Sequence, residues 1–93
     1  MIVGVMKVQL HLQGIRSLKE KRSIVKSLIG RLKSRFNISI AEVAHNDNKL
    51  TAVIGISIVS NQNRFINQQF DKIATFMQAD GRFYVGSIER ETF

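Results

Sequence analysis

The stretch Ile2-Val3-Gly4-Val5-Met6-Lys7-Val8-Gln9-Leu10-His11-Leu12, together with Ser17-Leu18-Lys19-Glu20 just beyond it, decides the fold. The first eleven residues alternate strictly. Ile2, Met6, Val8, Leu10 and Leu12, with Gly4, take one face, while Val3, Val5, Lys7, Gln9 and His11 take the other. A period of two over this length predicts a half-buried strand. Gln13-Gly14-Ile15-Arg16 then forms a short turn, and Ser17 with Glu20 makes a capping box that opens a helix. Leu18, Val25, Leu28, Ile29, Leu32 and Phe36 recur on one helical arc, so the hydrophobic period changes from two to 3.6. Asn37 is the expected left-handed terminator of this helix.

Downstream, Ile38 to Val43 reads as a strand, and Ala44 to Lys49 as a polar connection. Thr51 to Val59 is a third strand, with Ala52, Ile54, Ile56 and Ile58 on one face and Thr51, Val53, Gly55, Ser57 and Val59 on the other. Ser60 or a following asparagine is the expected cap of a second helix, whose core stripe is Ile66, Phe70, Ile73 and Met77. Asp80-Gly81 ends that helix, and Arg82 to Glu89 is a last strand of undetermined inward face. The order β-α-β-β-α-β predicts an α+β fold of the ferredoxin-like kind, a four-stranded antiparallel sheet with two helices on one face. Met6, Val8, Leu10, Leu28, Leu32, Ile54, Ile56 and Phe70 are its expected core.

With 93 residues the chain is expected to hold one domain, residues 1–93. The absence of cysteine removes disulfides and thiolate chemistry. No apolar run approaches the length of a membrane span, and no leader pattern opens the sequence, so a cytoplasmic protein is expected. His11 and His45 come from a strand and a distant loop with no third ligand at a recognisable spacing, which predicts neither a metal nor another cofactor.

Charge is the informative quantity. The net charge is +7, and Arg16 to Arg35 alone carry eight bases against the single acid Glu20. Elsewhere six bases cancel six acids. A polyanionic partner is the physical expectation, either nucleic acid or an acidic protein surface. Lys19, Lys21 and Arg22 crowd the positive end of the helix macrodipole, an arrangement costing about 0.3–1 kcal/mol per charge. An anion bound over Gly14 to Lys19 would relieve that conflict. Lys19, Arg22, Lys26 and Lys33 fall within about 60° on the helical wheel, beside a strip of small residues at Ser23, Ser27, Gly30 and Ser34. The candidate anion-binding residues are therefore Arg16, Lys19, Lys21, Arg22, Lys26 and Lys33. Strands one and three lack aromatic residues on the face away from the helices, which disfavours base stacking there. That face instead collects Val3, Val5, Val53 and Val59 around Gly55, a candidate homodimer interface.

Ser17-Leu18-Lys19-Glu20-Lys21-Arg22, then Phe36 to Val43, then Ile54-Gly55 with Val59-Ser60, resemble the YlxP-like bacterial proteins of unknown function. The resemblance spans nearly the whole chain. It implies a ferredoxin-like fold, and the usual gene neighbourhood of such proteins implies a context of translation and ribosome maturation. The hairpin before the third strand usually carries a tryptophan in that family, where this chain has Lys49. The expected function is a non-catalytic module docking its basic helix on ribosomal RNA or the ribosome. Two alternatives compete with it. Gln13-Gly14-Ile15-Arg16 resembles the phosphate cradle of acylphosphatases, although their arginine falls two residues later, at Leu18 here. The other is a homodimeric interaction module with an acidic protein partner.

Overall fold

The alternating segment forms the inner strand of a sheet, β1 (Ile2–Leu12), in a computed structural model that describes Met1–Phe93. It is followed by α1 (Leu18–Arg35), β2 (Ser39–Ala44), β3 (Thr51–Ser60), α2 (Asn63–Gln78) and β4 (Phe83–Thr92). The strands lie in the order β2-β3-β1-β4, and each neighbouring pair is antiparallel. The fold is ferredoxin-like, with both helices contributing to one core over the same sheet face.

Val25, Leu28 and Leu32 of α1 and Ile66, Phe70, Ile73 and Met77 of α2 meet the inward residues of β1 and β3. All eight expected core residues are buried. The register of β1 against β3 explains the partition of the sheet. Met6 opposes Ile56 and Val8 opposes Ile54 on the inner side, while Val3 opposes Val59 and Val5 opposes Ser57 on the outer side. Gly14 turns the chain out of β1 at φ 65°, a left-handed conformation that glycine adopts without a Cβ clash.

Three local expectations are corrected. Asn37 is not left-handed, because α1 closes at Phe36 with an extended backbone, φ −131° and ψ 144°. The Phe36 N–H remains bonded to the Leu32 carbonyl at 2.9 Å, so no left-handed residue is needed to finish the last turn. The N-cap of α2 is Gln62, which makes no side-chain cap bond, whereas Ser60 accepts the Gln62 N–H at 3.1 Å. Ser60 thus shapes the approach to the helix and does not cap it. The last strand runs to Thr92, and its inward face changes parity. Leu10 pairs with Val85 but Val8 pairs with Ile88, so a bulge inserts an extra residue between them. Phe83, Val85 and Ile88 therefore pack on the core although their spacing fits no uninterrupted alternation.

Candidate functional site

Helix α1 begins as its sequence dictates. Ser17 Oγ accepts the Glu20 N–H at 3.2 Å, and the Glu20 carboxylate accepts the Arg16 N–H at 3.1 Å. The Ser17 half of the capping box forms, while the Glu20 carboxylate reaches one residue further back, to the N–H before the N-cap. It also changes the chemistry of the loop before it, since a carboxylate stands where a bound anion would have to sit. Leu18, at the position where acylphosphatases carry their arginine, is half-buried. The conflict of bases with the helix dipole is thus partly answered from within the chain.

Lys19, Arg22, Lys26 and Lys33 are exposed along the outer side of α1, and Arg16 is exposed at its head. Five ion pairs form in the protein: Lys7–Glu89, Lys21–Glu42, Arg22–Asp47, Arg82–Asp80 and Arg90–Asp71. None involves Arg16, Lys19, Lys26 or Lys33. Arg22 reaches Asp47 only at 3.7 Å, between two exposed side chains, an arrangement worth little in water. Beyond this row, Arg35 lies 4.7 Å over the Phe76 ring, joining the two helices by a cation–π contact.

Lys21 does not belong to this surface, and its assignment to anion binding is corrected. It is fully buried. Its Nζ donates to the carbonyls of His45 and Asn48, each at 2.6 Å, and lies 2.8 Å from Glu42 Oε2. Two of the ammonium's three donors are spent on these carbonyls and the Glu42 carboxylate faces the remaining side, so a group with no exposed surface has nothing to offer a ligand. The Glu42 oxygen accepts no aligned hydrogen bond, and the attraction across that short distance is one of charge. His45 takes φ 61° to turn its carbonyl onto this site, a conformation that costs a non-glycine residue about 1–2 kcal/mol. Lys21 is thus an internal pin between α1 and the β2–β3 hairpin.

The opposite flank of α1 is tied by Arg82. Its guanidinium donates to both Asp80 carboxylate oxygens, the shortest bond being 2.6 Å, and to Ser27 Oγ at 3.3 Å. The side-chain hydrogen bond from Arg82 holds the Asp80 carboxyl below the usual carboxylate range against the opposing effect of burial. The same bond raises Arg82 above its ordinary value. The strip of small residues is therefore partly covered, with Ser27 beneath Arg82.

The sheet face away from the helices carries the other candidate residues. Val3, Val5 and Gly55 are half-buried, and Val59 is 61% exposed. Val53 is corrected: at 8% exposure it is already covered within the chain and offers little to a partner. Two residues that alternation alone did not place join the patch. Val43, beside the β2–β3 irregularity, lies over Gly55, and Phe93 pairs with Val3 through two backbone bonds of 3.0 and 2.8 Å. His11 and His45 are both exposed, His45 Nδ1 lying 3.0 Å from Thr51 Oγ1. No three histidine or acidic side chains converge as a metal ion requires. No helix is long and apolar enough to cross a membrane.

One solved structure shares this architecture. The designed protein Foldit4 superposes with a TM-score of 0.57 at 14% identity, covering 98% of this chain and 96% of its own. A dimeric ferredoxin-like protein from an uncultured marine organism aligns with a TM-score of 0.49 at 13% identity, covering 98% and 92%. Uncharacterized protein YlxP of Bacillus subtilis (strain 168) is 26% identical over 78 residues, which are 84% of this chain and 85% of that protein. Residues 3–90 match the family described as Protein of unknown function (DUF503), and the chain belongs to that family.

Proposed function

We propose that this chain is a non-catalytic binding module which docks the outer side of α1 on structured RNA, ribosomal RNA in a context of translation or ribosome maturation, and that it works as a homodimer. One observation carries the RNA reading: Lys19, Lys26 and Lys33 line one exposed helix flank with no carboxylate against them, although the chain has seven acids. Unpaired bases in a row gain most by meeting phosphates, because each contact releases condensed counterions. The resemblance to a family with a translation neighbourhood supports the choice of RNA over an acidic protein. The Glu20 carboxylate, which already takes the Arg16 N–H at the end of the Gln13–Arg16 loop, gives the phosphoryl hydrolase reading no support.

Arg16, Lys19, Arg22, Lys26 and Lys33, each neutralising one phosphate, give log affinity against log salt a slope of about −3.5 to −4.5. Lys19→Ala lowers the magnitude of that slope by roughly one and weakens all sequences alike. Lys72→Ala, on α2, leaves it unchanged. The test titrates ribosomal RNA fragments against wild type and Arg22→Glu/Lys26→Glu over a salt series. Equal affinities for the two proteins would end the RNA reading and leave an acidic protein as the expected partner.

A further inference from the structure

The outer sheet face differs from the rest of the surface in both polarity and charge. Val43 is 54%, Val59 61% and Phe93 72% exposed, and all three stand on this side with Val3 and Val5. At its centre Val43 fills the space over Gly55, and beside it lies a shallow hollow of about 240 Å³ between Val5, Ala41, Val43 and Ser57. A contiguous apolar region with a hollow floor is the form of an interaction surface.

Charge selects the occupant. The full-length charges on this face are Lys7, Glu89 and Glu91, and Lys7 is already paired with Glu89 at 3.4 Å. The face is close to neutral in a chain of net charge +7. A polyanion is repelled by the two glutamates and finds one engaged lysine. Two copies of the same basic protein repel one another through every approach that brings the α1 surfaces together. They can meet through the sheet face, where the excess charge is farthest away. The size is adequate: strands about 4.8 Å apart, three of them roughly 35 Å long and β2 roughly 20 Å, give about 600 Å² per copy, or roughly 1,200 Å² in total, the lower bound of a standard interface.

We propose that a second copy of this chain covers the outer sheet face in a two-fold, sheet-on-sheet dimer, so that the two α1 surfaces point away from each other and hold two RNA segments at once. Its dimer geometry stands on the sheet face alone, while its bivalency rests on the RNA reading above. A two-fold interface uses the same patch on both partners. Facing sheets pack about 10 Å apart, which places the four helices on the outside.

Sedimentation equilibrium at tens of micromolar decides the geometry. Wild type is expected at twice the chain mass. Val59→Glu and Val43→Glu each place a carboxylate at a side chain more than half exposed, where it leaves the monomer's core intact. Each is expected to weaken the dimer by about a hundredfold or more, since the carboxylate is desolvated only on association. Wild type at the chain mass would overturn the proposal. So would dimers that persist in both variants, which would mean pairing along the β2 or β4 edge. The second arm mixes two differently labelled ribosomal RNA fragments and asks for joint capture. Wild type is expected to capture both together, and Val59→Glu only one at a time with unchanged affinity per chain. A dimer that never captures two would overturn bivalency. If neither protein binds RNA, the RNA reading fails and bivalency with it, while the masses still decide the dimer.

Discussion

The two helices present the same stripe to the same core, at intervals of four, three and four residues. In α2 the stripe is Ile66, Phe70, Ile73 and Met77; in α1 it is Lys21, Val25, Leu28 and Leu32. All eight residues are buried. Helical period alone fixes which positions enter the core, and it does so whatever side chain stands there. Ile66 needs only apolar neighbours. Lys21 in the equivalent place needs acceptors, and the β2–β3 hairpin brings two carbonyls and a carboxylate to it. The eight bases of the α1 region thus have different duties, and position on the wheel separates them better than charge does.

The largest effect is expected from breaking the odd member of the stripe. Lys21→Met leaves the Glu42 carboxylate without its counter-charge and takes a donor from the His45 and Asn48 carbonyls, and should cost about 3–5 kcal/mol by urea unfolding. The same variant should lose hydrogen-exchange protection around residues 45–50. Adding Glu42→Gln should return part of that loss, because the orphaned charge is then gone. A cost of Lys21→Met below about 1 kcal/mol would show that the hairpin is held by something other than this pin.

The element order, the inward faces of β1 and β3 and the α2 stripe were all legible from periodicity, because a burial pattern is printed directly in those segments. What stayed hidden has identifiable causes. Lys21 has the spacing of a core position, but its charge places it with Lys19 and Arg22 unless the intervals to Val25, Leu28 and Leu32 are counted. Its acceptors lie 24 and 27 residues away and are mostly main chain, which no residue type announces. The bulge in β4 shifts parity between Val85 and Ile88, so an alternation rule cannot span it. Phe93 joins the outer patch only through its pairing with Val3. The exposed basic flank was legible because an unpaired charge needs no partner to be recognised.

The second polar tie on α1 is more exposed and should matter less. Asp80→Asn removes the charge from the Asp80–Arg82–Ser27 chain, and about 1–2 kcal/mol is expected at neutral pH. The folded-state carboxyl titrates below its unfolded value. Its stabilising contribution is therefore complete above the unfolded value of about 4 and is lost as pH falls through the lower folded value. Wild type and Asp80→Asn should differ most near pH 7 and converge in acid, as read by urea unfolding at several pH values. A constant difference across that range would assign the effect to packing. Trimming the apolar stripe is milder still: Ile66→Val should cost about 1 kcal/mol and leave exchange at the hairpin untouched, in contrast to Lys21→Met.

The smallest test concerns how the two helices start. Ser17 caps α1 with its own hydroxyl, and the Glu20 carboxylate accepts the N–H of Arg16 just before it. Gln62 holds the corresponding place in α2 with extended backbone, φ −133° and ψ 120°, yet it makes no side-chain cap bond, and the first turn contains no acid. The backbone of α2 is therefore already shaped for a cap that its sequence does not supply. Ser17→Ala should lower stability by about 1 kcal/mol, whereas Gln62→Ala should change it by only a few tenths. Gln62→Asp should raise it by about 0.5–1 kcal/mol, through a bond to a free first-turn N–H and through attraction to the helix dipole. The gain should appear in the urea midpoint at constant slope, because no new surface is buried. If Gln62→Asp is neutral while Ser17→Ala is costly, the α2 terminus is already satisfied by solvent, and the difference between the helix starts is one of sequence without energetic weight.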